Sequence, residues 1–425
     1  MKIRNNALLC FVLLLSLHQP LAAQDKMDLK FGKISPQEFK LEGVKFDTSA
    51  GAVYIADIGL TEFEGNTKGG YSVIFKRHVR IKILNKQGFD AANFDVMVYD
   101  FGDREQKLEK LKAVTYNLED GKIVETKLDE NSVFKDKIDK YRAFKKFTLP
   151  GVKEGSIIEV SYNLKSDNST WIRPWDFQGK YPRLWSEYEV RIPQFLDYVF
   201  LTQGTHPFHI KKTNVGYKYY TIIHDLGTSG SAMDQVKSSV YEHRMVMKDV
   251  PPLKEESFVT TLDNFNSSIQ FQLSAIKEPY KPQSVMGTWF KASEELMKDE
   301  DFGAALEKPN NWLDDDMKKI VGGATTQLDK ARNIYHYIRS NFTCTDHDAR
   351  WMQKGLKDVF KARNGNVCEI NMLLMAMLRH EGIEVEPVML STRDNGLTHA
   401  YYPILDRFNY VIAGAVIDGG EYYLD

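Results

Sequence analysis

The chain has 425 residues, more than one hydrophobic core ordinarily holds, so two or more domains are expected. Its 56 Lys and Arg nearly balance 58 Asp and Glu, for a net charge of −2, with 27% charged and 43% hydrophobic residues. That balance excludes a disordered chain, and it offers no basic excess to draw a nucleic acid. The 12% of aromatic residues suits β-rich packing.

Lys2 and Arg4 precede an apolar run, Ala7 to Leu17, broken only by Ser16. Leu21-Ala22-Ala23 then offers small residues before Gln24. This is the pattern of a secretory signal peptide, residues 1–23, so export is expected. The run is shorter than the roughly 20 residues that cross a bilayer. Cys10 lies inside it without the small-residue motif of a lipidation site, and no other segment is long and apolar enough to span. Cleavage leaves Cys344 and Cys368, which an oxidising compartment permits to pair; a free pair fits equally well.

From residue 25 to 279 the pattern is that of strands. Tyr71 to Leu84 alternates apolar and polar residues from Arg77 onward and runs into the turn Asn85 to Gly88. Val114–Leu118 and Lys122–Thr126 flank Glu119-Asp120-Gly121, whose Asp-Gly pair predicts a hairpin. Further strands are predicted at Ser156–Leu164, entered through Pro150-Gly151, and at Ser186–Ile192, Lys218–His224 and Ser268–Ile276. Strands at this spacing, separated by turn residues, predict an antiparallel β-sandwich. The mixed-charge stretches Lys107–Lys112 and Lys135–Lys146 read as solvated surface. Trp171, Trp175, Phe177, Tyr181 and Trp185 read as sandwich packing, with a carbohydrate or peptide surface as the minority reading.

After Pro279 to Pro282 the period changes. Helices are predicted over Val285–Lys298, over Leu328–Asn341 with Ala331, Ile334, Tyr335 and Ile338 inward, and over Val367–Glu381 with Ile370, Leu373, Leu374, Met377 and Leu378 inward. Gly382 closes the last helix. Val385–Ser391, Tyr410–Ile417 and Tyr422–Leu424 then read as strands, so residues 285–425 form an α+β domain. The pattern stops in mid-strand at Asp425, which suggests that the natural chain continues.

Chemistry is expected where the third helix begins. Asn366 is a good N-cap and Glu369 stands where a capping box wants it. Cys368 lies in the first turn, where free N–H groups and the helix dipole lower a thiol pKa. The segment from Gly365-Asn366-Val367-Cys368-Glu369 to Arg379-His380-Glu381-Gly382-Ile383 resembles the nucleophile helix of bacterial transglutaminase-like domains, which have the papain-type fold. Active members have a Gly-x-Cys start and an Arg-x-x-Gly-Ile ending. Aligned on Arg379, Gly382 and Ile383, the family's cysteine falls at Val367, and Cys368 comes one residue late, about 100° round the helix. Phe408-Asn409-Tyr410-Val411-Ile412 resembles the strand that carries the family's catalytic histidine, here Tyr410. Tyr422-Tyr423-Leu424-Asp425 resembles the strand whose aspartate orients that histidine. Arg80 to Gly88, Tyr116 to Lys122, Leu149 to Glu159 and Trp175 to Gln178 with Ser186 to Tyr188 resemble the uncharacterised β-rich domain that precedes transglutaminase-like domains in exported bacterial proteins.

The resemblance implies a protein of the bacterial envelope, periplasmic or otherwise, and leaves two readings of the site. In the first, Val367 and Tyr410 replace the cysteine and histidine, and the domain binds or scaffolds a peptide or envelope protein. In the second, Cys368 attacks a glutamine or peptide carbonyl, with His399 as base and Asp425 as orienter. Asp346, His347 and Asp348 with Cys344 lack a second ligand pair at zinc spacing, so no metal is expected. There is no phosphate loop, nucleotide fingerprint or serine elbow, hence no cofactor.

Overall fold

The computed structural model describes residues 26–425 apart from 100–104, 139–141, 168–170, 226, 228–229 and 279; the expected signal peptide lies outside the described residues. Pro36–Phe39 forms a single turn, α1, opened by a Ser35–Glu38 capping box. The strands that follow are β1 (Ala52–Gly65), β2 (Tyr71–Ile83), β3 (Asn93–Tyr99), β4 (Lys107–Glu119), β5 (Lys122–Lys127), β6 (Phe134–Lys137) and β7 (Arg142–Thr148). Next come β8 (Ile157–Ser166), β9 (Trp175–Asp176), β10 (Arg183–Pro193), β11 (Leu196–Gln203), β12 (Ile210–Asp225), β13 (Ser231–Val250), β14 (Ser268–Ile276) and β15 (Gln283–Ser284).

Eight of these strands make one sheet in the order β12-β13-β10-β1-β2-β8-β4-β5. Its ladders are antiparallel except β1–β10, which is parallel, with Tyr54 opposite Arg183 and Thr61 opposite Val190. Two smaller sheets, β11-β14-β15 with β9 on β14, and β3-β7-β6, cover one face. Phe75 and Tyr188 of the large sheet, Phe94 and Phe147 of β3 and β7, and Phe271 and Leu273 of β14 meet in a single buried cluster. The expected β4–β5 hairpin forms with Glu119 opposite Lys122; Asp120 and Gly121 both take positive φ, as a two-residue turn of this kind requires. Trp175, Phe177 and Tyr181 are buried in the sandwich core, Trp185 is buried on the other face of the large sheet beside Met27 and Leu29, and Trp171 is only part-buried.

Two expectations need correction here. Lys135–Lys146 is not simply solvated surface: it contributes β6 and the start of β7, with Ala143 buried. The Val285–Lys298 helix starts only at Trp289, because Thr288 caps it through the N–H of Lys291 while the N–H groups of Val285 and Met286 donate to the Ser274 carbonyl of β14 (2.9 and 3.1 Å). The polar side chains of Arg80 and Lys82 on β2 lie on a covered face. Arg80 is 3% exposed, and it donates to Glu159 (Nη2–Oε1 2.6 Å), to Glu38 (2.8 Å) and to the Lys30 carbonyl (3.0 Å). The segment Met27–Phe39 lies across that face and seals it, with Phe31, Ile34 and Phe39 packed on Tyr116 and Ile157. A buried arginine survives there because its charge is paired and hydrogen-bonded.

The second half holds α2 (Trp289–Lys298), α3 (Ala304–Glu307), α4 (Asp314–Val321), α5 (Gln327–Asn341), β16 (Thr343–Asp346), α6 (Leu356–Ala362), β17 (Asn364–Asn366), α7 (Val367–His380), β18 (Glu384–Leu390), β19 (Tyr410–Ile417) and β20 (Gly420–Leu424). β18, β19 and β20 form an antiparallel meander, and β16 and β17 pair in parallel. Their core is separate from that of the sandwich and is centred on α7. The sequence pattern assigns α7 one inward stripe; in the fold Val367 to Leu378 is buried on every side save at Ile370, since the other helices and the meander surround it. Gly382 follows in the left-handed conformation expected of a helix terminator. The two halves meet where Arg407 donates to Gln270 (3.0 and 3.2 Å) and the Leu397 N–H donates to Asn264 (2.8 Å). No helix among the described residues is long and apolar enough to cross a membrane.

Candidate functional site

The start of α7 is built by one carboxylate. Glu369 Oε2 accepts the N–H of Asn366, and Asn366 Oδ1 accepts the N–H of Glu369, each at 2.8 Å, which completes the expected capping box. Glu369 Oε1 also accepts the N–H groups of Gln353 and Lys354 at 2.8 Å. Position 365 must be glycine for a local reason. A Cβ there would stand 2.7 Å from Glu369 Oε2 and 3.1 Å from Val359 Cγ1. The parallel pairing of Cys344 with Gly365 holds the strand that leads into the helix.

Val367 is the first residue of α7 and is buried. Four residues on, and therefore on the same helix face, Asn371 donates to Asp425 Oδ1 (3.0 Å) and to the Val411 carbonyl (2.8 Å). Tyr410, the first residue of β19, donates its hydroxyl to the same carboxylate, 3.0 Å from Oδ1 and 3.1 Å from Oδ2. Tyr335 donates to the Asp425 main-chain carbonyl (3.0 Å). Burial, then the hydrogen bond to Asp425 and its charge, pushes the Tyr410 phenol up to about 12. Tyr410 and Asp425 thus stand together, as their positions in the sequence suggest, with Val367 on the helix face that looks toward them. Sequence reasoning missed Asn371, although an asparagine four residues after Val367 in an otherwise apolar helix was a usable signal.

Cys368 points elsewhere. It has no exposed surface, and its Sγ contacts the Arg350 carbonyl at 3.4 Å. The expectation that the helix start lowers this thiol's pKa is overturned. Burial pushes it well above the ordinary cysteine range, and the Glu369 charge adds to the effect, outweighing the helix dipole. His399 lies in the loop between β18 and β19, where its Nδ1 accepts the N–H groups of Tyr401 and Tyr402 (3.2 Å each). Cys368, His399 and Asp425 therefore have separate partners, and the structure does not bring them together. Cys344 is a free, half-buried thiol directed at the Asp346 carbonyl (3.3 Å), and Cys368 is also free, so no disulfide joins them. Partial burial raises the Cys344 pKa, and the charges of Asp346, Asp425 and Glu369 raise it further against one backbone hydrogen bond. Among the described residues no three His, Cys, Asp or Glu side chains converge as metal ligands.

A β-sandwich precedes an α+β domain in which a buried, capped helix starts opposite the strand ends that hold Tyr410 and Asp425; this is the layout of transglutaminase-like proteins of the papain type. Residues 71–226 match the model of DUF3857, a domain of unknown function with solved structure, and residues 316–420 match that of the transglutaminase-like superfamily. The chain carries a DUF3857 domain followed by a transglutaminase-like domain. Among solved structures, a "putative protease" from Parabacteroides distasonis is similar in fold, with a TM-score of 0.58 at 15% identity, over 88% of this chain and 67% of that one. A "putative cysteine protease" from Cytophaga hutchinsonii aligns with a TM-score of only 0.23 at 11% identity, over 56% of this chain and 73% of that one, too loosely to bear on the fold. No curated protein matches the sequence.

Proposed function

We propose that this is an exported protein of the bacterial envelope whose transglutaminase-like domain performs no thiol chemistry and instead binds or scaffolds a peptide or protein partner. One observation carries the reading: the Asp425 carboxylate, which in the family resemblance orients a histidine, is held by the phenol of Tyr410 and the amide of Asn371. A phenol near pKa 12 takes no proton from a thiol at neutral pH, and the helix position facing it is Val367. Losing both members of a cooperating dyad removes the reaction, since neither acts without the other. The burial of Cys368 and the distinct setting of His399 support the same reading. The apolar run before Gln24 supports export.

The test is amine transfer. The purified chain, incubated with a labelled primary amine and a glutamine-rich protein, is expected to incorporate nothing above the level of its Cys344→Ala and Cys368→Ala variants. Incorporation or peptide cleavage that either substitution abolishes would overturn the proposal. Fractionation of expressing cells is expected to place the mature chain, beginning near Gln24, outside the cytoplasm; an uncleaved cytoplasmic chain would refute export.

A further inference from the structure

β12 is the outer strand of the eight-stranded sheet, and its open edge is bounded. The Ile223 N–H donates to the Asn66 carbonyl (2.9 Å) and the Ile223 carbonyl accepts from the Gly69 N–H (3.0 Å). Ile223 therefore turns its backbone groups away from β13, and so do the residues two, four and more positions before it. The loop after β1 covers that end, with Gly65 against the Thr221 backbone. Upstream, the outward N–H and C=O groups of Lys211, Thr213, Val215, Tyr217 and Tyr219 have no backbone partner among the described residues. The side chains of these five share one sheet face, where Val215, Tyr217 and Tyr219 are 59%, 73% and 62% exposed. A long edge with an exposed aromatic face is what proteins ordinarily blunt or cover.

The edge is complementary to itself. Its open window runs from residue 211 to 219, so the midpoint is Val215. A second strand of the same sequence, antiparallel about that point, sets Val215 opposite Val215, Thr213 opposite Tyr217 and Lys211 opposite Tyr219. All five outward residues then exchange both backbone hydrogen bonds. The Lys211 stem comes beside the Tyr219 ring, on which Lys237 of the same chain already sits, and Thr213 packs on the Tyr217 ring. On the other face Asn214 falls opposite Gly216, where there is room. Lys212 comes opposite Lys218, whose charge is already engaged by the Phe63 carbonyl (2.8 Å) and Glu62 (3.6 Å). A slide of the incoming strand toward Ile223 is blocked by the loop that holds that residue.

We infer that β12 is a homodimerisation edge, at which a second copy of this chain adds its own β12 antiparallel and joins the two large sheets into one. This edge belongs to the sandwich, so the dimer is independent of whether the second domain is catalytic. The test is sedimentation of the full chain at about 10–100 µM, the range in which a modest edge-to-edge contact is populated. The wild type is expected to sediment as a dimer. Val215→Pro removes the N–H at the axis without costing the monomer a hydrogen bond. Val215→Lys sets two like charges opposite each other at the axis and leaves the contacts of Lys237 with Tyr217 and Tyr219 in place. Both variants are expected to be monomeric, with the circular dichroism and Tm of the wild-type fold. A wild-type chain that stays monomeric over this range overturns the inference. So does a dimer indifferent to both variants, or a monomer whose β12 edge captures an extended peptide instead of its own copy.

Discussion

Replacing Tyr410 with phenylalanine removes one hydroxyl and leaves the ring, so it isolates the contact to Asp425. The phenol rises from 10 to about 12 because burial and the carboxylate both favour its neutral form. Two pKa units are worth about 2.7 kcal/mol at full value. Tyr410 is only part-buried, and solvent screening reduces this to about 1 kcal/mol, the net size of an ordinary hydrogen bond. The sign follows from the raised value. The contribution is fully present below pH 10, where the unfolded phenol still holds its proton, and is lost as pH rises toward 12. Urea unfolding of the full chain, followed through the transition of the second domain, is the assay. At pH 8 Tyr410→Phe is expected to be less stable by about 1 kcal/mol, and the gap is expected to close between pH 10 and 12. Equal stability at pH 8, or a gap that widens with alkalinity, would refute the account of this contact.

Other outcomes follow from the same geometry. Glu159→Ala strips Arg80 of its principal partner and removes the acceptor for Gly32 N–H (2.8 Å) and His78 (2.8 Å), so a loss of about 3–5 kcal/mol is expected in the first domain by thermal unfolding. Burial raises the Glu159 pKa, but hydrogen bonds from His78, Gly32 and Arg80 bring it below normal overall, so this stability is present at neutral pH and lost on acidification. Asn366→Ala breaks the capping box at the head of α7 and is expected to cost about 1 kcal/mol, read from the urea midpoint. Peptide mapping after brief iodoacetamide treatment at pH 7.5 is expected to find label at Cys344 and none at Cys368; labelling of Cys368 as fast as in the unfolded chain would contradict its burial.

Much of the second domain was legible locally. The helix from Val367, its Asn366–Glu369 cap and its Gly382 end follow from residues that satisfy or terminate the backbone within a turn or two. The β4–β5 hairpin was legible for the same reason, because an Asp-Gly turn and its flanking strands need nothing beyond nearest neighbours. The start of α2 was misjudged because periodicity ignores a competing backbone partner, here the Ser274 carbonyl of β14 for the N–H groups of Val285 and Met286. The inward stripe of α7 was read too narrowly because amphipathic spacing assumes that one side of a helix sees water.

What the sequence determined by itself was the order of two domains, the capped helix at the candidate site, and the presence of Val367, Tyr410 and Asp425 at matching motif positions. Only the tertiary structure decided that Asn371 shares the Asp425 carboxylate with Tyr410, that Cys368 is sealed against the Arg350 carbonyl, and that Arg80 on β2 is buried beneath residues 27–39. These are contacts between residues from 15 to 54 positions apart, as in Tyr410 to Asp425 and Asn371 to Asp425. Solvation and charge pairing at such sites depend on what the rest of the chain places over them, and no local pattern carries that information.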